Sequence, residues 1–366
     1  MSARLKDIFS EDFFAFFLHE FSAIYPLDTK LFLNAVYVDS WAEKKLTDRI
    51  EHIAVSLHAC LPFSYTGQIK ILQKFCARTE QSLQSDWKLG YMFVPKFIEL
   101  YGLNEFEVSM RAIEHITKCV SCEFAIRPFI MKYPQETLMH MYDWSNHSHQ
   151  NVRRLSSEGC RPTLPWGKQI PQFMASPQMI MPILENLKTD SSVFVQKSVA
   201  NNLNDISKDN PEYVLEICEK WKNTHPITAK IIKYGLRTLL KQGNERALKL
   251  CGIVASTHVS VSDFVVHTAD VTKNKPLQFS CSVHNSHSKP CMIRVEYRLH
   301  FVRKNNRYTH KNFFVHEHIY AAYETKKIIK THSFQPRTTR VYYPGKHRVE
   351  LIVNGRLCGK REFYFS

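Results

Sequence analysis

An all-α helical-repeat solenoid followed by an all-β sandwich is the fold class this sequence predicts. Three observations carry the prediction: a helical periodicity that holds to about residue 257, a self-similarity at a shift of 43 residues inside that stretch, and a change to short β-rich runs after His258. At 366 residues the chain exceeds what one hydrophobic core usually serves, so two domains are expected, at 1–257 and 258–366.

In the first half apolar residues recur at three and four, as in Phe13, Phe16, Phe17 and Phe21 or Tyr213, Ile217 and Trp221. Val152-Arg153-Arg154-Leu155 aligns with Val195-Gln196-Lys197-Ser198, and each segment follows a helix and a polar turn. A period in the forties made of two helices is the HEAT-like range, and stacked pairs of this kind curve into a concave surface. After His258 the runs Phe264–His267, Leu277–Val283, Met292–Val302, Asn312–His316, Lys327–His332, His347–Val353 and Arg361–Phe365 read as strands. Asn305-Asn306, Pro344-Gly345 and Asn354-Gly355 supply turns between them. That strand number and spacing predict an immunoglobulin-like sandwich without the Cys…Trp…Cys pattern of antibody domains.

The net charge of +15 is uneven. Residues 258–366 carry +12 and residues 1–257 only +3, so the sandwich is the part expected to meet a polyanion, nucleic acid first. No run of eighteen apolar residues and no secretory pattern at the start is seen, which predicts a cytoplasmic protein with no membrane partner. The ten cysteines are scattered apart from Cys119-Val-Ser-Cys122, and no second ligand pair follows, so buried thiols are expected rather than a metal. His147 with His149, and His316 with His318, lack a carboxylate set that would make them metal ligands and read as solvated histidines. Walker, GxGxxG and GxSxG motifs are absent.

Charged residues on the inner helices are the candidates for chemistry. In the helix over 193–206, Val195, Val199, Leu203 and Ile206 form the buried stripe, which puts Lys197, Asn201 and Asp205 on one exposed line. In the preceding inner helix Val152 and Leu155 point to the core, Arg154 and Glu158 lie four apart, and Arg161 follows the helix-ending Gly159. Glu123 and Arg127 are four apart ahead of Pro128. Trp166, in Leu164-Pro165-Trp166-Gly167, is placed equally well to cap the core or to face a ligand.

The segments Asn151–Trp166, Glu123–Phe129 and Val195–Asp205, in that order, resemble the signature segments of the AlkC-type DNA alkylation-repair glycosylases. The resemblance covers about residues 85–250, and the basic sandwich is similar to the C-terminal immunoglobulin-like domain of one branch of that family. It implies an enzyme that removes cationic lesions such as N3-methyladenine and N3-methylcytosine from double-stranded DNA and needs no cofactor. Glu123, Glu158 and Asp205 stand at the matching carboxylate positions, with Glu123 and Glu158 flanking the lesion and aiming water, Asp205 stabilising positive charge, and Trp166 offering its π face to the cation. Arg127, Arg153, Arg154, Arg161, Lys197 and Arg237 are then candidate DNA contacts. So are Arg303, Lys304, Arg307, Arg337 and Arg340 in the sandwich, assigned by charge. A repeat surface is expected to lack a deep slot, which favours a bent duplex with limited base extrusion, bound by a monomer. The competing expectation is a non-catalytic DNA-binding or protein scaffold.

Overall fold

The computed structural model describes residues 5–80, 89–253, 258–304, 307–336 and 340–366. The chain forms two compact units, Met1–Asn210 and Pro211–Ser366.

The first unit is helical among its described residues: α1 (Glu11–Ser22), α2 (Thr29–Val36), α3 (Leu46–Cys60), α4 (Tyr65–Thr79), α5 (Phe93–Tyr101), α6 (Phe106–Ile116), α7 (Ile126–Lys132), α8 (Pro134–Trp144), α9 (Gln150–Gly159), α10 (Pro171–Ala175), α11 (Met181–Leu187) and α12 (Val193–Asp209). Helix starts follow local chemistry. Ser10 and Asp28 accept from the backbone N–H three residues on, at 3.2 and 2.9 Å, and Pro134 opens α8 where its missing N–H costs nothing. The N-terminal helices share an aromatic core in which the buried Phe17 ring lies 5.2–5.6 Å from those of Phe21, Phe32, Phe75 and Phe93.

The 43-residue repeat is structural. The pair α8–α9 corresponds to α11–α12, α9 packs along α12, and Val152, Leu155, Val195, Val199 and Leu203 of these two helices are all fully buried. The segment between the pairs, 160–180, departs from the repeat and carries the Trp166 loop.

The second unit begins with α13 (Pro211–Trp221), α14 (Pro226–Gly235), α15 (Arg237–Gln242) and α16 (Glu245–Leu250) and continues as a sandwich. Its strands are β1 (Val259–Val266), β2 (Asp270–Val271), β3 (Leu277–Asn285), β4 (Cys291–Val302), β5 (Tyr308–Tyr320), β6 (Thr325–His332), β7 (Gly345–Val353) and β8 (Arg356–Phe365). One sheet is ordered β1-β3-β6 and the other β2-β8-β7-β4-β5. The seven strands expected from sequence are present. The two-residue β2, paired in parallel with β8, is too short to show alternation. Asn354 and Gly355 form the β7–β8 turn with φ of 47° and 78°, as the dipeptide predicts. The Asn305-Asn306 turn lies outside the described residues.

Compactness and secondary structure divide this chain at different places. Strand replaces helix between Leu250 and Val259, yet α13–α16 belong to the compact unit of the sandwich. Lys233 of α14 pairs with Glu317 of β5 at 2.5 Å, and Glu317 also accepts from Arg294 at 2.9 Å. Arg294 in turn donates to Glu296 at 2.7 Å, and Asn312 donates to the Lys241 carbonyl.

A candidate active-site cleft in the helical unit

Four short pieces of the first unit converge: the turn ahead of α7, the C-terminal end of α9, the loop after it, and α12. Gly159 is the last residue of α9, and a Cβ there would lie 2.6 Å from Ile126 of α7 and 3.2 Å from Met141 of α8, so glycine is what lets α9 approach them this closely. That approach brings Glu158, in the last turn of α9, beside Glu123.

The charged side chains form one continuous network. Ser121 and Arg154 Nη1 both donate to Glu123 Oε2, at 2.7 and 2.6 Å, and Arg154 Nη2 lies 3.6 Å from Glu158 Oε1. Arg161 Nη1 donates to Glu158 Oε1 at 2.6 Å and its Nε to Asp205 Oδ2 at 2.7 Å, while Ser198 donates to Glu158 Oε2 at 2.7 Å. Lys208 closes the chain on Asp205 Oδ1 at 2.8 Å. The Phe194 ring covers the outer face of the Arg154 guanidinium at 4.4 Å. Both oxygens of Glu158 and both of Asp205 are engaged, whereas Glu123 Oε1 carries no hydrogen bond among the described residues.

The residues expected to hold phosphates behave differently from one another. Arg127 is a correction: it is 1% exposed, and four donors go to main-chain oxygens, Nε to Lys168 at 2.6 Å, Nη1 to Gly159 at 3.0 Å and Arg161 at 2.8 Å, and Nη2 to Pro162 at 3.3 Å. Burial pushes its guanidinium down to about 10, still a cation at neutral pH. Arg127 is the clamp of the loop after α9, and it borders the cleft with four of its N–H donors spent on the main chain. Arg153 is likewise occupied, by Asp190 at 2.6 and 3.2 Å and by the carbonyls of His147 and Ser148. Arg154 and Arg161 hold carboxylates.

Asp205 is a second correction. It was expected on an exposed line with Lys197 and Asn201, but it is 1% exposed, turned toward Arg161, while Lys197 is exposed. The ion pair with a residue 44 positions earlier overrides the periodicity.

The clamped loop presents Trp166. Its backbone takes φ 63° in the turn closed by the Gly167 N–H on the Leu164 carbonyl at 3.0 Å, and its indole is 73% exposed. A large ring held outward on a left-handed backbone does not cap the core. Such strain persists where the surroundings fix it and is common where a side chain must meet a ligand.

Glu123, Glu158, Arg161 and Trp166 border an open cleft of about 680 Å³, against the expectation of a surface without a slot. Asp205 lies behind Arg161 and does not line it. The facing wall comes from residues that sequence reading left aside: Leu46, Asp48, Ile50 and Glu51 of α3 and Pro95, Lys96 and Glu99 of α5. Lys96 sits between Glu51 and Glu99 at 3.1 and 3.2 Å, which together raise its pKa despite the opposing effect of burial. Ser121 and Ser198 were also missed, since a serine two residues before one acid and a serine forty residues after another carry no distinguishing signal in sequence.

The remaining expected residues lie elsewhere. His147 and His149 accept from backbone N–H groups at 2.8 and 3.2 Å and serve the entry to α9. Among the described residues no group of three His, Cys, Asp or Glu could hold a metal, and no helix is long and apolar enough to cross a membrane. In the second unit Arg237 lies over the Tyr234 ring at 4.4 Å, Arg340 over Phe301 at 4.3 Å, and Arg303, Lys304 and Arg307 are exposed. Arg337 is outside the described residues.

A helical-repeat unit with an acid-lined cleft under an exposed tryptophan, joined in one chain to a basic immunoglobulin-like sandwich, defines the class. The family model described as DNA alkylation repair enzyme matches residues 106–239, and that of the C-terminal Ig-like domain of YhaZ matches residues 260–366. YhaZ of Bacillus subtilis (strain 168) is 35% identical over 362 residues, covering 99% of each chain. The structure of the alkylpurine DNA glycosylase AlkC of Pseudomonas fluorescens, bound to DNA containing an abasic site analog, superposes with a TM-score of 0.92 at 35% identity over 100% of both chains. The chain belongs to the DNA alkylation repair enzyme family, in the branch that ends in a YhaZ-type Ig-like domain.

Proposed function

We propose that this chain is a DNA glycosylase that hydrolyses the N-glycosidic bond of cationic alkylated bases, N3-methyladenine and N3-methylcytosine, in double-stranded DNA and leaves an abasic site. The observation that carries this reading is the pairing of Glu123 with Glu158 at the rim of a cleft overhung by an exposed tryptophan, in a chain whose net charge is +15. A DNA-binding groove alone gains nothing from buried acids that repel phosphates. The matching architecture of AlkC, solved on DNA with an abasic site analog, supports the same reading.

The chemistry needs little from the protein beyond charge and position. A base alkylated on a ring nitrogen leaves as a neutral molecule, taking the electron pair of the C1′–N bond, so no general acid is required. Positive charge develops on the sugar, and the oxygen of a water bonds to C1′ while its proton passes to a carboxylate. Glu123 is the group for the water, since Oε1 is open while Oε2 is pinned by Ser121 and Arg154. Glu158, fixed on both oxygens, supplies negative charge at a set place, and Asp205 acts through Arg161 by holding it against Glu158. The indole face of Trp166 stabilises the cationic base or sugar, by about 0.5–2 kcal/mol. Lys197 and the exposed sandwich cations Arg303, Lys304 and Arg307 contact backbone phosphates. The open cleft accepts a lesion from a bent duplex with limited extrusion, and one copy of the chain suffices.

The test is release of free base from methylated duplex DNA, resolved by chromatography against N3-methyladenine and N3-methylcytosine standards. The wild type is expected to release base, and Glu158→Gln to bind duplex normally while losing release by about 10²-fold or more. A folded, DNA-binding wild type that releases no base overturns the enzyme reading and leaves a scaffold.

A further inference from the structure

The sandwich holds a second concave site, on the flank where β5 and β6 are the last strands of their respective sheets. It is a slot of about 460 Å³ lined by Val315, His316, His318, Lys326, Ile328 and Lys330, with Lys327 and Ile329 at its lip. No Asp or Glu among the described residues lines it.

The cations reach the slot through a defect in pairing. On β4 and β5 the register runs Val295 opposite His316 and then Glu296 opposite Phe314, leaving Val315 as an extra residue. A bulge of this kind reverses which residues face inward. Before it, Phe313 shares the core side with Tyr297. After it, His316 and His318 fall on the core side of the register, opposite the buried Val295 and Ile293, with His316 half-buried and His318 exposed at the mouth. On β6, Lys326 and Lys330 flank the buried Ile328 on the same side. The His316 and His318 rings are 5.1 Å apart, and Lys326 lies 4.8 Å over the Tyr320 ring, whose hydroxyl is 2.9 Å from His316 Nε2.

Inward charges on edge strands deter sheet-to-sheet association, and one lysine per edge would do that. Four cationic or protonatable groups converging on one cavity, two of them turned in by a bulge, ask for an anion. We infer that the β5–β6 flank is a binding site for a phosphate group, held by Lys326, Lys330 and the His316–His318 pair. Nothing in this inference depends on the glycosylase reading.

Other groups near His316 leave room for that role. Glu324, in the turn between the strands, is engaged by Lys326 at 3.3 Å and by the Ala321 N–H at 2.7 Å. Glu317 points to the opposite face, bound to Arg294 and Lys233. β4 offers Val295 and Ile293, and β3 offers the thiol of Cys281 behind Tyr320. Burial, then His318, then Lys326 hold the His316 imidazole below its ordinary value, so in the empty site it is neutral at pH 7. A bound phosphate dianion reverses this balance and draws a proton onto it, and binding therefore strengthens as pH falls.

The full-length protein is titrated with pyrophosphate and, separately, with a short unmodified duplex, while the imidazole C2–H resonances are followed by NMR over pH 5–8. His316→Gln and His318→Gln assign the two signals. Pyrophosphate is expected to shift both signals and raise the titration midpoint of His316, and Lys326→Gln/Lys330→Gln is expected to abolish the effect. The same shifts with duplex identify the source as the nucleic-acid backbone, and shifts with pyrophosphate alone identify a small phosphate. Signals that move with neither overturn the site and leave the lysines as an edge guard.

Discussion

Arg161 bridges two buried acids, Glu158 and Asp205, whose charges would otherwise face each other in a poor solvent. Glu158 and Asp205 are 5% and 1% exposed, and the guanidinium between them is 6% exposed. Both acids raise its pKa against the opposing effect of burial. Taking one member out of such a cluster leaves charge in a poor solvent, which costs about 3–5 kcal/mol. Arg161→Met is expected to lower unfolding free energy by that amount in urea titration, and Lys197→Gln, on the exposed side of α12, by less than about 0.5 kcal/mol. Equal small effects from the two would mean that the acids are uncharged or hydrated in the folded state.

The elements show which parts of the molecule sequence can reveal. The β7–β8 turn is one: Asn354-Gly355 announces it, and Gly355 meets two constraints at once, a φ of 78° and an approach that would put a Cβ 2.6 Å from Leu248 of α16. Gly355→Ala is expected to cost at least about 1–2 kcal/mol from the backbone alone, with the contact adding to it. Thermal unfolding measures the sum, and a loss well below 1 kcal/mol would show that the turn relaxes away from α16. The α9–α12 repeat was equally legible, because Val152, Leu155, Val195 and Val199 repeat at helical spacing and fall in the core. The burial of Asp205 was not, because periodicity reports on which face a residue lies and an ion pair across 44 positions leaves no periodic trace. Arg127 misled for the same reason: four carbonyls presented by a loop more than thirty residues away decide its role. The cleft wall from α3 and α5 was invisible for want of any local signal joining residues 46–51 to 123–128. The bulge that turns His316 inward has no signature in a strand already rich in β-formers.

At the scale of the whole chain, the place where one kind of secondary structure yields to another is not where the contacts divide. A boundary at 257/258 follows the change from helix to strand, but the sandwich side of that cut contains groups whose partners lie before it. The Glu317 side chain is 4% exposed and is held by Lys233 as well as Arg294, Asn312 donates to the Lys241 carbonyl, and Gly355 is packed against Leu248. A sandwich cut at 258 loses Lys233, the Lys241 carbonyl that Asn312 meets and the Leu248 that packs on Gly355, and leaves Glu317 with one of its two cationic partners. A chain of 211–366 keeps all of these. We therefore expect residues 211–366 to express as a soluble, cooperatively unfolding unit, and residues 258–366 to melt at a lower temperature with a shallower transition, the signature of a surface stripped of its packing. Identical melting of the two fragments would show that α13–α16 rest on the sandwich without stabilising it, and would return the boundary to the point where the first strand begins.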